Sequence, residues 1–168
     1  MKKVALVLAE QEFRDEEYQL PRDLLQEAGF EVLTVSTTTG TAVGKLGMQV
    51  TPDTLIQDLK PEDLDALVFI GGGGSEQYFE DPLAHSLANS MVQQDKVLGA
   101  ICIAPVILAN AKVLVGKNAT VFPDGADVLK QQGARYVDAE VVVDGQIITG
   151  NGPEAAEAFG RTLVKLLS

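Results

Sequence analysis

Three groups of residues in this chain could do chemistry, and each lies beside a short apolar run. Cys102 is the only cysteine. It follows Val97-Leu98-Gly99-Ala100-Ile101, which reads as a strand, and precedes Ile103 to Ala111, which reads as a buried helix. A thiol pinched between the two sits on a sharp turn and points out of the sheet, toward the positive end of the helix. Helix N-termini and nearby donors lower a thiol pKa and favour the nucleophilic thiolate. A lone cysteine is otherwise a small buried hydrophobe, so its role depends on its company. Gly71-Gly72-Gly73-Gly74 is the second group, after the strand-like Ala66 to Ile70. Successive glycines let backbone N–H groups come close to a ligand. No Lys-Ser/Thr pair follows, and no G-x-G-x-x-G with an acid ~20 positions on, which disfavours nucleotides. An oxyanion-type donor beside the thiol is the alternative use.

The third group is acidic. Glu10, Glu12, Asp15, Glu16 and Glu17 crowd the loop after the first strand and the start of its helix. Most read as solvated charges favoured by a helix N-terminus. One buried member would hold its proton and hydrogen-bond a thiolate, because burial and like charges raise a carboxyl pKa. Spacing alone does not choose which. His85, the only histidine, falls on a helix at 81–94 that covers the sheet, away from the strand ends where a Cys–His pair needs it. No His/Cys cluster supports a metal, and no cofactor is expected.

The elements that must bring these groups together alternate. Strands are expected at Val4–Ala9, Glu31–Ser36, Ala66–Ile70, Val97–Ile101 and Ala119–Phe122, with a short one at Arg135–Val137. Helices are expected at Glu16–Gly29 (Leu20, Leu24, Leu25 and Ala28 inward, with a kink or irregular start at Pro21), Asp53–Leu59, Asp81–Gln94, Gly125–Gln132 and Pro153–Leu167. Thr37 to Thr51 reads as a hairpin excursion, and Asp144-Gly145 joins a second hairpin between Val141–Val143 and Gln146–Thr149. Continuous apolar strands alternating with helices mean a mostly parallel sheet covered on both faces. Ligands then bind at the carboxyl ends of the strands, where the strand order switches. The loops after Ala9, Ile70 and Phe122 and the turn at Cys102 should share that edge.

The 168 residues make one domain, with 46 % apolar and 22 % charged residues. A net charge of −11 disfavours nucleic acid and anionic membranes. No apolar run approaches the ~20 residues of a membrane span. A single cysteine and no secretory signal point to the cytoplasm.

Ala100-Ile101-Cys102-Ile103-Ala104-Pro105, followed by Leu108-Ala109, Val113-Leu114, Gly116-Lys117 and Ala119-Thr120, resembles the nucleophile elbow of the DJ/PfpI superfamily. Phe13 to Pro21 resembles its acidic first loop. Leu64 to Gly72 resembles its strand-then-Gly-Gly element, and Val141 to Thr149 its late hairpin, with Gly152-Pro153 opening the last helix. The resemblance spans nearly the whole chain. It implies a flavodoxin-like three-layer sandwich that forms a homodimer or higher homo-oligomer. It makes Cys102 the nucleophile and Glu17 the carboxylic acid bonded to its sulfur. Gly72 and the Ile103 N–H would form the oxyanion pocket, with Gly71, Phe122 and Pro153 around it. Ile103 stands where the protease-like branch has a histidine, Phe122 where the deglycase branch has one, and Asn151 where an arginine is common. The pocket is therefore expected to be apolar. These residues point to a stress-response protein acting on reactive carbonyls through Cys102 and Glu17, in the manner of a glyoxalase or deglycase. The alternatives are a redox-sensing, chaperone-like protein oxidised by peroxide at Cys102, and a PfpI-type peptidase.

Overall fold

The computed structural model describes residues 1–168. In chain order the elements are β1 Lys3–Val7, β2 Gln11–Phe13, α1 Asp15–Glu27, β3 Glu31–Ser36, β4 Ala42–Gly44, β5 Gln49–Val50, β6 Thr54–Leu55, β7 Ala66–Phe69, α2 Pro82–Gln93, β8 Val97–Ile101 and α3 Pro105–Asn110. They continue as β9 Asn118–Ala119, α4 Ala126–Gln131, β10 Arg135–Tyr136, β11 Val141–Asp144, β12 Ile147–Gly150 and α5 Ala156–Leu167. The main sheet runs β11-β12-β8-β7-β1-β3-β6, and only the β11–β12 pair is antiparallel. The chain moves from β1 outward to β3 and β6, then returns to lay β7 on the other side of β1. The strand order therefore switches between β1 and β7.

Period-two alternation divides the core between the faces. Val4, Leu6, Val68, Ile70 and Ile101 pack with Tyr18 and Leu25 of α1 and Phe159 and Leu163 of α5. Ala5, Val7, Leu67, Phe69, Leu98 and Ala100 pack with α2, α3 and α4. The result is the three-layer α/β sandwich that the alternation of elements implies. On the first face α1 and α5 lie very close. A Cβ on Gly160 would stand 2.9 Å from Pro21 Cα.

Several local expectations are corrected. The stripe that α1 buries is Glu17, Tyr18, Pro21 and Leu25, not the one through Leu20 and Ala28, which are exposed. Pro21 neither breaks the helix nor delays its start, because helix α1 is continuous around it. Of the short helix expected over 53–59 only the single 3-10 turn Ile56–Asp58 forms. Asp53 instead holds the edge of β3, accepting from the Thr34 N–H at 2.8 Å and donating its own N–H to the Thr34 carbonyl at 2.8 Å, and β6 follows. The strand expected at 119–122 shrinks to the two-residue β9, paired in parallel with β10 outside the main sheet. Its ladder is lost because the Thr120 N–H bonds the Thr149 side chain at 2.9 Å and the Thr120 hydroxyl bonds the Ala139 carbonyl. The hairpin excursion at 37–51 is present as β4 and β5, and the acidic loop adds a strand to it, β2, not foreseen in the sequence.

Candidate active site

Cys102 follows β8 directly. Alternation along that strand would send residue 102 to the α2–α3 face, the face of Leu98 and Ala100. Its φ of +65° sends the side chain instead to the α1–α5 face, among Ile70, Ile101 and Phe159. A positive φ strains a residue with a Cβ, and the surroundings must hold it there. Two hydrogen bonds do so. The Cys102 N–H donates to the Gly150 carbonyl at 2.9 Å, and its carbonyl accepts from the Phe122 N–H at 2.7 Å.

Glu17 reaches the same spot from the first turn of α1. It is fully buried, and neither carboxylate oxygen has a well-formed hydrogen-bond partner. The polar groups that act on it are the Cys102 thiol, the charges of Arg14 and Glu16, and the Gly71 backbone. Gly71 is the spacer between them, since a Cβ there would stand 2.5 Å from Cys102 Cβ and 2.5 Å from Glu17 Oε1. The 71–72 peptide is oriented from outside. Its carbonyl accepts the Arg14 N–H at 2.9 Å. In a trans peptide the following N–H points the opposite way, so the Gly72 N–H is aimed at the sulfur, where the Ile103 N–H also points.

Gly72 combines a φ of +102° with no room for a side chain, because a Cβ would stand 2.5 Å from the Arg14 nitrogen. Gly72→Ala is therefore expected to cost about 2–4 kcal/mol of stability and to turn the 71–72 peptide away from the sulfur. Urea unfolding and the alkylation rate of Cys102 measure the two effects.

Electrostatics corrects one expectation. Burial pushes the Cys102 thiol up to about 12, with the Glu17 charge adding to it, against the downward pull of the Gly72 and Ile103 amides. Burial likewise raises the Glu17 carboxyl to about 8. Two adjacent buried anions are unfavourable, so the pair titrates as one unit and keeps a proton over the neutral range. Glu17 is thus placed to hold a proton against the sulfur and to take up the one that the thiol gives up.

The sulfur opens into a cleft of about 260 Å³ lined by Arg14, Lys45, Gly72, Ile103, Phe122 and Pro153, among others. Arg14, Phe122 and Pro153 also line an adjoining outer cleft with Glu16, Asn151 and Glu154. The expected apolar pocket is corrected here: Arg14, Lys45 and Asp124 are charged. The sequence reading missed all three. A signal for Arg14 was present, as it is the only cation within Glu10–Glu17. Asp15 leaves the site and accepts the Leu46 and Met48 N–H groups at 3.1 and 2.9 Å. His85 lines neither cleft, and its Nε2 lies 2.8 Å from the Phe79 carbonyl oxygen.

No helix is long and apolar enough to cross a membrane. A protein of Pyrococcus horikoshii named a deglycase is 39 % identical over 162 residues, covering 96 % of this chain and 98 % of the relative. An uncharacterized protein of Methanocaldococcus jannaschii is 41 % identical over 168 residues, covering 98 % of this chain and 82 % of the relative. The crystal structure of a ThiJ/PfpI domain protein from Brachyspira murdochii superposes with a TM-score of 0.96 at 33 % identity, over 98 % of this chain and 95 % of that one. The family model for the DJ-1/PfpI family matches residues 2–166. With its elbow at Cys102, its three-layer sandwich and these relatives, the chain belongs to the DJ-1/PfpI family.

Proposed function

We propose that this protein is a stress-response enzyme that consumes reactive carbonyls, with Cys102 as nucleophile and Glu17 as its proton carrier. The observation that carries the reading is the buried Glu17 carboxyl facing a thiol on which two backbone amides converge. The relative named a deglycase supports the same class of chemistry. Ionised Glu17 takes the thiol proton as sulfur attacks the aldehyde carbon of a compound such as methylglyoxal. The C–S bond forms, and the carbonyl π pair moves onto oxygen, where the Gly72 and Ile103 amides stabilise it. Glu17 then returns its proton to that oxygen, giving a hemithioacetal. Moving the C1 hydrogen to C2 as a proton, again through Glu17, makes a thioester. Water cleaves it to lactate and free Cys102.

Attack on an already electrophilic aldehyde suits a site in which no histidine lines the cleft, with Ile103 and Phe122 at the positions the resemblance marks for one. The same fact counts against a peptidase, which needs a general acid for an amine leaving group. The test is methylglyoxal loss and lactate formation by wild type and Cys102→Ser. Equal rates in the two proteins would sink the reading.

A second reading is oxidation of Cys102 by peroxide. It is favoured by the sulfur's position at the cleft floor beside two N–H donors that would hold a sulfinate. Mass spectrometry after mild peroxide tests it, and absence of added oxygen on Cys102 would count against it. As in the family at large, we propose a homodimer in the cytoplasm.

A further inference from the structure

The inner cleft is cationic in a chain that carries a net charge of −11. Two cations, Arg14 and Lys45, line it with Cys102, against a single acid, Asp124. The fold holds Arg14 at its side chain and Lys45 at its backbone. The Arg14 guanidinium is pinned by Glu16, with Nε at 2.7 Å from one oxygen and Nη2 at 3.1 Å from the other. Its backbone N–H is fixed on Gly71 at 2.9 Å. Two of the five guanidinium N–H groups are thus engaged, and the remaining three are free for a ligand. Lys45 sits at the tip of the β4–β5 excursion. The Lys45 N–H bonds the Phe13 carbonyl at 2.9 Å, and the two carboxylate oxygens of Asp15 hold the Leu46 and Met48 amides beyond it. No carboxylate lies within ion-pair distance of the Lys45 ammonium.

A pinned planar donor fork and an unpaired ammonium on a backbone-anchored loop tip, both lining the cleft of a nucleophilic sulfur, are the means of gripping a carboxylate or phosphate. We infer that the preferred substrate is an aldehyde bearing its own anion, a carboxylate or phosphate close to the reacting carbon, which Arg14 and Lys45 dock while the aldehyde carbon meets Cys102. The inference rests on the carbonyl reading for its chemistry, but the anion subsite is tested separately. Pinning by Glu16 makes Arg14 a specificity residue with a fixed direction. Asp124 opposes it and keeps the cleft from holding dianions too tightly.

Iodoacetate and iodoacetamide form the same S–CH2 bond and expel the same iodide. Iodoacetate differs in carrying a carboxylate on the atom next to the electrophilic carbon. Both consume the same thiolate, so the ratio of their rates cancels any change in thiol pKa. In wild type at low salt we expect iodoacetate to be the faster reagent, against the chain's overall charge. The ratio should fall about tenfold in Arg14→Gln/Lys45→Gln and rise in Asp124→Asn. Added salt should shrink the wild-type preference. A ratio unchanged in the double variant overturns the subsite. The single variant Lys45→Gln, at an exposed position, repeats the test should the double variant fold poorly. Absence of methylglyoxal turnover by wild type, with a ratio that still falls in the double variant, would sink the carbonyl reading alone. A flat ratio with turnover intact would sink the anion subsite alone.

Discussion

Cys102→Ser is expected to lower methylglyoxal consumption by about 10³-fold, while thermal stability stays within about 1 kcal/mol of wild type. Serine has nearly the size of cysteine and tolerates the same φ of +65° under the same two backbone hydrogen bonds. The loss is chemical. A hydroxyl gives up its proton far less readily than a thiol, and a carboxylate with a pKa of about 8 cannot draw it off at a useful rate. The variant keeps the Gly72 and Ile103 amides, so binding and carbonyl polarisation persist without a nucleophile. Wild-type activity should rise with pH as Glu17 ionises, levelling above about 8. Initial rates across pH, with circular dichroism melts as the control, measure both effects. A residual rate within tenfold of wild type would rule out Cys102 as the attacking atom.

Glu17→Gln should change how stability depends on pH. In the unfolded chain the carboxyl ionises near its ordinary 4.5, and in the folded protein burial holds its proton to about 8. Between those values the folded state binds more protons than the unfolded one, so stability falls as pH rises through the window. The stabilising contribution is complete below about 4.5, and roughly 4 kcal/mol at most has gone by about 8. Glutamine cannot ionise, so the variant should lack this slope. Its amide needs partners that the site does not supply to Glu17, which costs about 1–3 kcal/mol at every pH. Wild type should therefore be the more stable protein in mild acid, and its advantage should shrink or reverse in mild alkali. Urea midpoints for both proteins at each end of the window give the answer. Parallel pH profiles would mean that Glu17 does not carry the buried proton.

What was legible followed from burial on two faces. Strands β1, β7 and β8 are covered by helices above and below, so their sequences are unbroken apolar runs. The turn at Cys102 was legible because a strand ends and a helix begins within a few residues. The helical surface of α1 was less clear, because leucines at 20 and 24 outshine a stripe whose buried members are a glutamate, a tyrosine, a proline and a leucine. A buried acid carries no apolar signal, which is why the resemblance, and not periodicity, selected Glu17. Strand β2 escaped notice because its Glu12 has a φ of +59° and its register with β4 shifts, leaving no alternation to read. The charge of the cleft was hidden for a different reason. Arg14, Lys45 and Asp124 come from three distant segments, and only the folded chain sets them around one sulfur.

The packing of α1 on α5 through Gly160 and Pro21 has a consequence for the order in which the chain is made. Glu17 emerges early in synthesis and Cys102 midway, but what fixes them comes later. The carbonyl that anchors the Cys102 backbone belongs to Gly150, and the helix that seats α1 spans Ala156–Leu167. The pairing of thiol and carboxyl is therefore completed by the C-terminal part of the chain, through the Gly150 carbonyl and the helix that seats α1.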